Sequence, residues 1–187
     1  MRLGLAAARV RAFSAGLPCV GIPTLEAVAA GVPEGERGGA RILAVIDSRR
    51  GDLFAQVFSG GAGAGIGAGA GGPKPLGAPE AVSPENLADF IVGGEEASNS
   101  PPGPLLDRPA QRVVVAGDAT EHALAALRHA GVEAVSGSGP AAPDAGIVAA
   151  LAAARWSGEQ ALETLRPVYL RPPDANVPKD GGRLRPG

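Results

Sequence analysis

An α/β sheet with one antiparallel edge is the fold class the sequence predicts, and three observations predict it. Arg41 to Ser59, RILAVIDSRRGDLFAQVFS, sets two strand-like apolar runs on either side of a sharp polar turn. Downstream, short apolar runs at Arg112 to Ala116 and Val132 to Val135 alternate with helical patterns. Apolar residues make up 45% of the 187, enough to build a core at this length, and they are patterned rather than clustered. A hairpin followed by strand and helix alternation gives a parallel sheet carrying an antiparallel edge.

Taken in order, Leu3 to Ala15 has a helical apolar stripe of Leu3, Ala6 or Ala7, Val10 and Phe13, with Arg9 and Arg11 mostly off it. Gly16 and Pro18 stop that helix, Cys19 to Ile22 reads as a short strand, and Thr24 is placed to cap a helix from Leu25 to Ala30. Pro33 to Gly39 reads as a hinge leading into the hairpin. The first hairpin arm, Ile42 to Ile46, is continuously apolar, as suits a strand buried on both faces. The second alternates, sending Leu53, Ala55, Val57 and Ser59 one way and Phe54, Gln56 and Phe58 the other. Asp47 to Asp52 is the turn, with Gly51 able to take positive φ and Asp47 or Ser48 able to bond the turn's own backbone.

After the hairpin, Gly60 to Gly72 is GGAGAGIGAGAGG, which has nothing to bury and reads as a flexible insertion of small energetic consequence. Lys74 to Val82 is extended, and Ser83-Pro84-Glu85 starts a helix that runs to Ile91. Gly93 to Pro109 is a proline-fixed loop. The strand Arg112 to Ala116 then turns through Gly117 into a helix, where Asp118 and Glu121 have the spacing of a capping box, and Leu124, Leu127 and Ala130 are expected to face inward. Val132 to Val135 is the last strand, and Asp144 opens a final helix to Trp156 that would bury Ile147, Leu151 and Ala154.

Composition excludes several function classes. Aromatics are only 3% while Gly and Pro number 29 and 18, so the core must be Ala, Val, Leu and Ile with long loops outside it. A formal net charge of -2 with scattered arginines offers no field for a polyanion, so nucleic-acid binding by this chain alone is not expected. The single Cys19 excludes an internal disulfide and fits a reducing compartment. His122 and His129 lie two turns apart on one helix, too far for a compact two-histidine metal site, and read as surface residues. No run approaches the roughly 20 apolar residues of a membrane-spanning helix. Arg9 and Arg11 interrupt any export signal, so a cytoplasmic location is expected.

Two turns could carry chemistry. Asp47, Ser48 and Gly51 could present N–H groups and a carboxylate to a phosphate or its Mg²⁺, and Gly117 with Asp118 could hold a nucleotide at a helix N-terminus. A solvated hairpin turn and plain helix capping need the same residue types, and on residues alone these are favoured. The terminal run Pro167 to Asp174 reads as an extended segment whose Tyr169 and Arg171 could be ligands, although such residues more often pin a terminal segment to the domain. No serine, histidine and aspartate set or cysteine and histidine pair emerges that would activate a nucleophile.

Three stretches, RLGLAAARVRAFSAGLPCVGIPTLEAVA, LAVIDSRRGDLFAQVF and PVYLRPPDA, resemble in this order the TsaB (YeaZ) family, the dimerisation subunit of the bacterial machinery that installs threonylcarbamoyladenosine in transfer RNA. The first looks like the helix after the family's GPGSFTG loop with its following strand and Thr-Leu-Glu helix, the second like the hairpin opening the C-terminal half. VVVAGDA looks like that half's later strand and Gly turn. The resemblance implies an actin/hexokinase-like (ASKHA, Gcp-like) fold of two related halves. Residues 1–36 would be a remnant of the first half and 37–187 the second, with insertions at 60–72 and 93–109 and a loose tail after 175.

The family's opening Ile-Asp-Thr-Ser strand and GPGSFTG loop are not in this sequence, and Val10 replaces a usually small residue. A start codon assigned too late or a shortened product would account for this, and an uncapped apolar helix at Met1 favours the former. The resemblance implies a subunit without catalytic residues of its own that supports the paralogue TsaD as a heterodimer, with the ATPase TsaE joining. A homodimer is a second assembly, transfer RNA is met only through the complex, no membrane is involved, and ATP or ADP enters at the level of the complex rather than as this chain's cofactor. It places the partner surface on Leu3, Ala7, Val10 and Ser14 and makes Asp47, Ser48, Gly51, Gly117 and Asp118 vestigial phosphate turns. The competing reading is a nucleotide- or small-molecule-binding α/β enzyme that uses the Asp47 and Gly117 turns around phosphate.

Overall fold

The hairpin is the middle of the sheet. In the computed structural model, which describes residues 2–61, 72–93, 112–156 and 166–171, β1 (Arg41–Asp47) and β2 (Leu53–Ser59) pair antiparallel from Arg41↔Ser59 to Asp47↔Leu53. Two short strands, β3 (Lys74–Pro75) and β4 (Glu80–Val82), pair antiparallel with β2. On the opposite side β5 (Val113–Ala116) runs parallel to β1, and β6 (Ala134–Ser136) runs parallel to β5. Among the described residues the sheet order is β3-β2-β1-β5-β6 with β4 also on β2, so the antiparallel edge and the parallel part meet at β1.

Among the described residues six α-helices accompany the strands: α1 (Arg2–Ala15), α2 (Thr24–Ala30), α3 (Glu34–Arg37), α4 (Leu87–Gly93), α5 (Thr120–His129) and α6 (Ala145–Arg155). Strand alternation divides the core between two faces. Leu43, Val45, Leu53, Ala55, Val57, Val113 and Val115 form one, covered by Leu87 and Ile91 of α4 and Ala123 and Leu127 of α5. Ile42, Ala44, Phe58, Val114 and Ala116 form the other, covered by Leu25, Val28 and Ala29 of α2 and by Val32. Each fully buried Val, Leu or Phe contributes roughly 1.5–3 kcal/mol, so a core almost without aromatics depends on both faces being covered. A second layer lies on α2, where Leu151 of α6 meets Ala27 and Ala30 and Arg155 pairs with Glu26.

Several elements differ from the sequence reading for identifiable reasons. Cys19 to Ile22 forms no strand, since Pro18 and Pro23 flank it and the strand order gives it no neighbour. Pro23 rather than Thr24 occupies the cap of α2, with no side-chain capping bond. The expected hinge at Pro33 to Gly39 contains α3, for which Pro33 presets the entry and Glu34 and Glu36 supply a first turn of negative charge. Glu36 accepts the amide of Ser138 at 2.9 Å and its hydroxyl as well, tying the segment after β6 to α3. Pro84–Asn86 forms a 3-10 turn ahead of α4, and Ser83 makes no capping bond. On α5 Ala123 takes the buried place expected of Ala130, which is exposed, and on α6 Leu151 is buried while Ala154 is exposed.

Asp144 does cap α6, accepting the amides of Gly146 and Ile147 at 2.8 and 3.1 Å. Of the stretch 60–72 only Gly60, Gly61 and Gly72 are described, and Gly60 is buried with its N–H on the Ala40 carbonyl at 2.8 Å. The insertion at 93–109 beyond Gly93 and the tail after 175 lie outside the described residues. No described helix is long and apolar enough to cross a membrane.

Candidate functional site

The parallel register Ala44↔Ala116 brings the carboxyl ends of β1 and β5 side by side, which is where an open α/β sheet presents its loops to a ligand. The two predicted turns meet there through Asp47 and Asp118, with Ser48 and Gly51 farther out in the hairpin turn. Gly117 leaves β5 at φ 126, and a Cβ at that position would overlap the Val45 carbonyl, so only glycine lets the chain pass so close to β1. This passage sets Asp118 against the hairpin turn, where its Oδ1 accepts the Asp47 amide at 2.9 Å. Asp118 is therefore not the cap of α5, as its spacing to Glu121 suggested: Ala119 holds that position without a side-chain capping bond. The carboxylate is drawn instead to a strand-end N–H, and Thr120 Oγ1 donates to the Gly117 carbonyl at 2.8 Å.

Within the hairpin turn, Asp47 Oδ1 accepts the Arg49 amide at 2.7 Å and Ser48 Oγ accepts the Arg50 amide at 3.2 Å. The Ser48 amide donates to the Asp52 carbonyl at 3.2 Å and closes the loop. Gly51 sits at φ 91 as its position requires, while Arg49 takes φ 61, a left-handed conformation that costs an L-residue roughly 1–2 kcal/mol. Arg171, reaching in from the terminal segment, pairs with the Asp52 carboxylate. Each of Asp47, Asp52 and Asp118 thus already accepts from a donor of this protein. That arrangement splices two turns together, and any phosphate placed on it would meet three carboxylates. Among the described residues no group of three or more His, Cys, Asp or Glu side chains is placed to hold a metal ion.

The second candidate surface is α1, where the residues singled out from the sequence, Leu3, Ala7, Val10 and Ser14, are all exposed. Ser14 Oγ donates back to the Arg11 carbonyl at 3.0 Å, so it does not disturb the apolar stripe. Leu3, Val10, Phe13 and Leu17 are 88%, 68%, 77% and 59% exposed. Among the described side chains of α1 only Ala12 is buried, and Cys19 Sγ reaches the Ala8 carbonyl at 3.8 Å from the same helix's following segment. Leu3 and Val10 lie seven residues apart and Phe13 one turn from Val10, so large apolar groups recur along one side of α1, and Leu17 is exposed just beyond its end, after Gly16 at φ 61.

Two features lay beyond the sequence reading. A cleft of about 600 Å³ opens between β5, β6 and α5, lined by Arg112 and Arg128 with Leu124, Val132 and Glu133. Arg112 and Arg128 are ordinary surface residues in sequence, and only the parallel pairing of β5 with β6 brings them to one cleft. Leu170, next to Arg171, packs on the apolar face that α2 covers, together with Ile46.

No family model matches this chain, and no curated protein does. Solved structures do. One is an uncharacterized protein with similarity to peptidase YeaZ from Pseudomonas aeruginosa, 20% identical, with a TM-score of 0.57 over 91% of this chain and 67% of that one. A second is YeaZ from Pseudomonas aeruginosa, also 20% identical with a TM-score of 0.57, over 90% of this chain and 66% of that one. The chain thus spans about two thirds of the length of each of these structures. At this identity the likeness is one of fold, and the chain has the actin/hexokinase-like α/β fold of these YeaZ neighbours.

Proposed function

We propose that this chain is a TsaB-like scaffold subunit that supports the threonylcarbamoyladenosine transferase TsaD through α1. The observation that carries the reading is the outward stripe of Leu3, Val10 and Phe13 on α1, with Leu17 exposed just beyond it, on a chain with a YeaZ-like fold. A contiguous row of exposed large apolar side chains marks an interaction site, because its hydration is released on docking. The small residues Ala7 and Ser14 within the row let another helix approach closely. In this reading the chain has no cofactor of its own, TsaE and transfer RNA are met through TsaD, and the paired turns serve the fold.

Co-purification of the tagged full chain with TsaD tests it. The wild type is expected to retain TsaD and Val10→Asp to lose it, since an aspartate at the centre of an apolar contact is desolvated without a partner. Retention of TsaD by the variant would place the contact elsewhere.

The nucleotide-binding reading has one observation in its favour, the convergence of the Asp47 and Gly117 turns at the carboxyl ends of parallel strands. Calorimetry of the isolated chain with Mg²⁺ and ATP or ADP separates the two readings. Micromolar binding that is lost in Asp118→Ala supports the nucleotide site, whereas binding only in the presence of TsaD supports the scaffold.

A further inference from the structure

The turn between β1 and β2 holds a conformation that its own sequence does not favour. Arg49, at φ 61, is the one non-glycine residue with positive φ among the described residues, and Gly51 follows at φ 91. Two contacts from distant parts of the chain bear on this turn. Asp118 takes the amide of Asp47 at its start, and Arg171 takes the carboxylate of Asp52 at its end. Asp52 is the pivot, because its carbonyl closes the turn on the Ser48 amide while its side chain is held by Arg171. Both members of that ion pair are half-buried, which limits screening by solvent. One residue earlier, Leu170 is seated on the apolar face that also receives Ile46 near the end of β1. The ionic contact therefore sits beside an apolar anchor, and neither end of it has to be ordered for that contact alone.

We infer that Leu170 and Arg171 form a clasp that keeps the hairpin turn in its strained form and, through the turn, keeps the Asp47 amide on Asp118. Releasing Arg171 frees the Asp52 side chain, lets Arg49 return to negative φ and uncouples the two turns while the sheet stays paired. The clasp is independent of the partner surface on α1, so its test uses no partner.

Amide hydrogen exchange of the full chain, followed residue by residue, decides it. In Arg171→Ala the amides of Asp47, Ser48, Arg49 and Arg50 are expected to exchange about ten-fold faster, while Val114 and Val115 in β5 keep their rates. The reversed pair, Arg171→Asp with Asp52→Arg, is expected to bring the turn amides back toward wild-type rates, which restored bulk alone would not do. Leu170→Ala, which leaves the ion pair in place, gives a milder version of the same pattern and serves if Arg171→Ala does not fold. Turn amides unchanged in both single variants would overturn the inference. So would acceleration spread equally to Val114 and Val115, or a reversed pair that leaves the turn amides fast.

Discussion

α1 and α2 are written in the same alphabet of Ala, Leu and Val, and the fold treats them oppositely. Leu25, Val28 and Ala29 of α2 disappear against Ile42, Phe58 and Val114, whereas Leu3, Val10 and Phe13 of α1 point into solvent. The difference teaches that apolar periodicity fixes which side of a helix seeks burial but not what buries it. α2 is placed by the sheet, with Val32 continuing its contact, while of the described side chains of α1 Ala12 alone is buried.

The sharpest way to break this contrast is to put the same charge into both helices. Val28→Asp buries a carboxylate against the sheet with nothing to receive it and is expected to cost about 4 kcal/mol or more, enough to unfold a marginally stable domain. A cooperative urea transition at the wild-type midpoint would show that α2 is dispensable to the core. Gly117→Ala follows in size. A methyl group against the Val45 carbonyl, together with φ 126, is expected to cost roughly 2–4 kcal/mol in guanidinium unfolding, as large as a core truncation although no apolar group is removed. Asp118→Ala, which strands the Asp47 amide, is expected to cost about 1 kcal/mol in the same measurement.

At the other end of the scale, Val10→Asp on α1 is expected to change unfolding free energy by no more than about 0.5 kcal/mol, since an exposed position has no packing to lose. A large loss would mean that α1 is part of the chain's own core and would remove the contrast. The smallest effect concerns the contact of α3 with the segment after β6. The hydroxyl and then the amide of Ser138 donate to Glu36 and hold its carboxyl below the ordinary glutamate value. A depressed value in the folded chain means that this contact stabilises above the ordinary carboxylate range and is lost as pH falls through the depressed value. The Ser138 amide shift should therefore titrate with a midpoint lower than that of a free glutamate, and Glu36→Gln should abolish the titration.

What could be read from the sequence follows from where each signal is stored. The hairpin was legible because its alternation and its turn residues are local: Leu53, Ala55 and Val57 do share one face, and Phe58 does take the other. Gly117 was legible as a turn, and the reason it must be glycine was not, since the Val45 carbonyl that forbids a side chain comes from another strand. Asp118 misled for the same reason. Its spacing to Glu121 satisfies a local capping rule, but the Asp47 amide, brought in by the parallel pairing of β1 and β5, claims the carboxylate first. Arg171 and Asp52 carry no sequence relation at all, and neither do Glu36 and Ser138. The stripe of α1 was visible in sequence as a stripe, and its outward direction required the rest of the fold.

The hydrogen bond from Asp47 to Asp118 spans 71 residues of chain, whereas the hairpin turn beside it closes within itself. These two closures belong to different moments of folding. Bringing the ends of a short loop together takes tens of nanoseconds and a hairpin forms in microseconds, while a contact across a long stretch waits on a search whose entropy grows with the logarithm of the intervening length. β1 and β2 are thus in a position to form the template onto which β5 is later laid, and the Asp118 and Arg171 contacts reach a turn whose own hydrogen bonds can already be made. Lengthening the chain between β2 and β5 slows that arrival only logarithmically and leaves the seven-residue pairing from Arg41↔Ser59 to Asp47↔Leu53 untouched, so insertions there are borne by the later step alone.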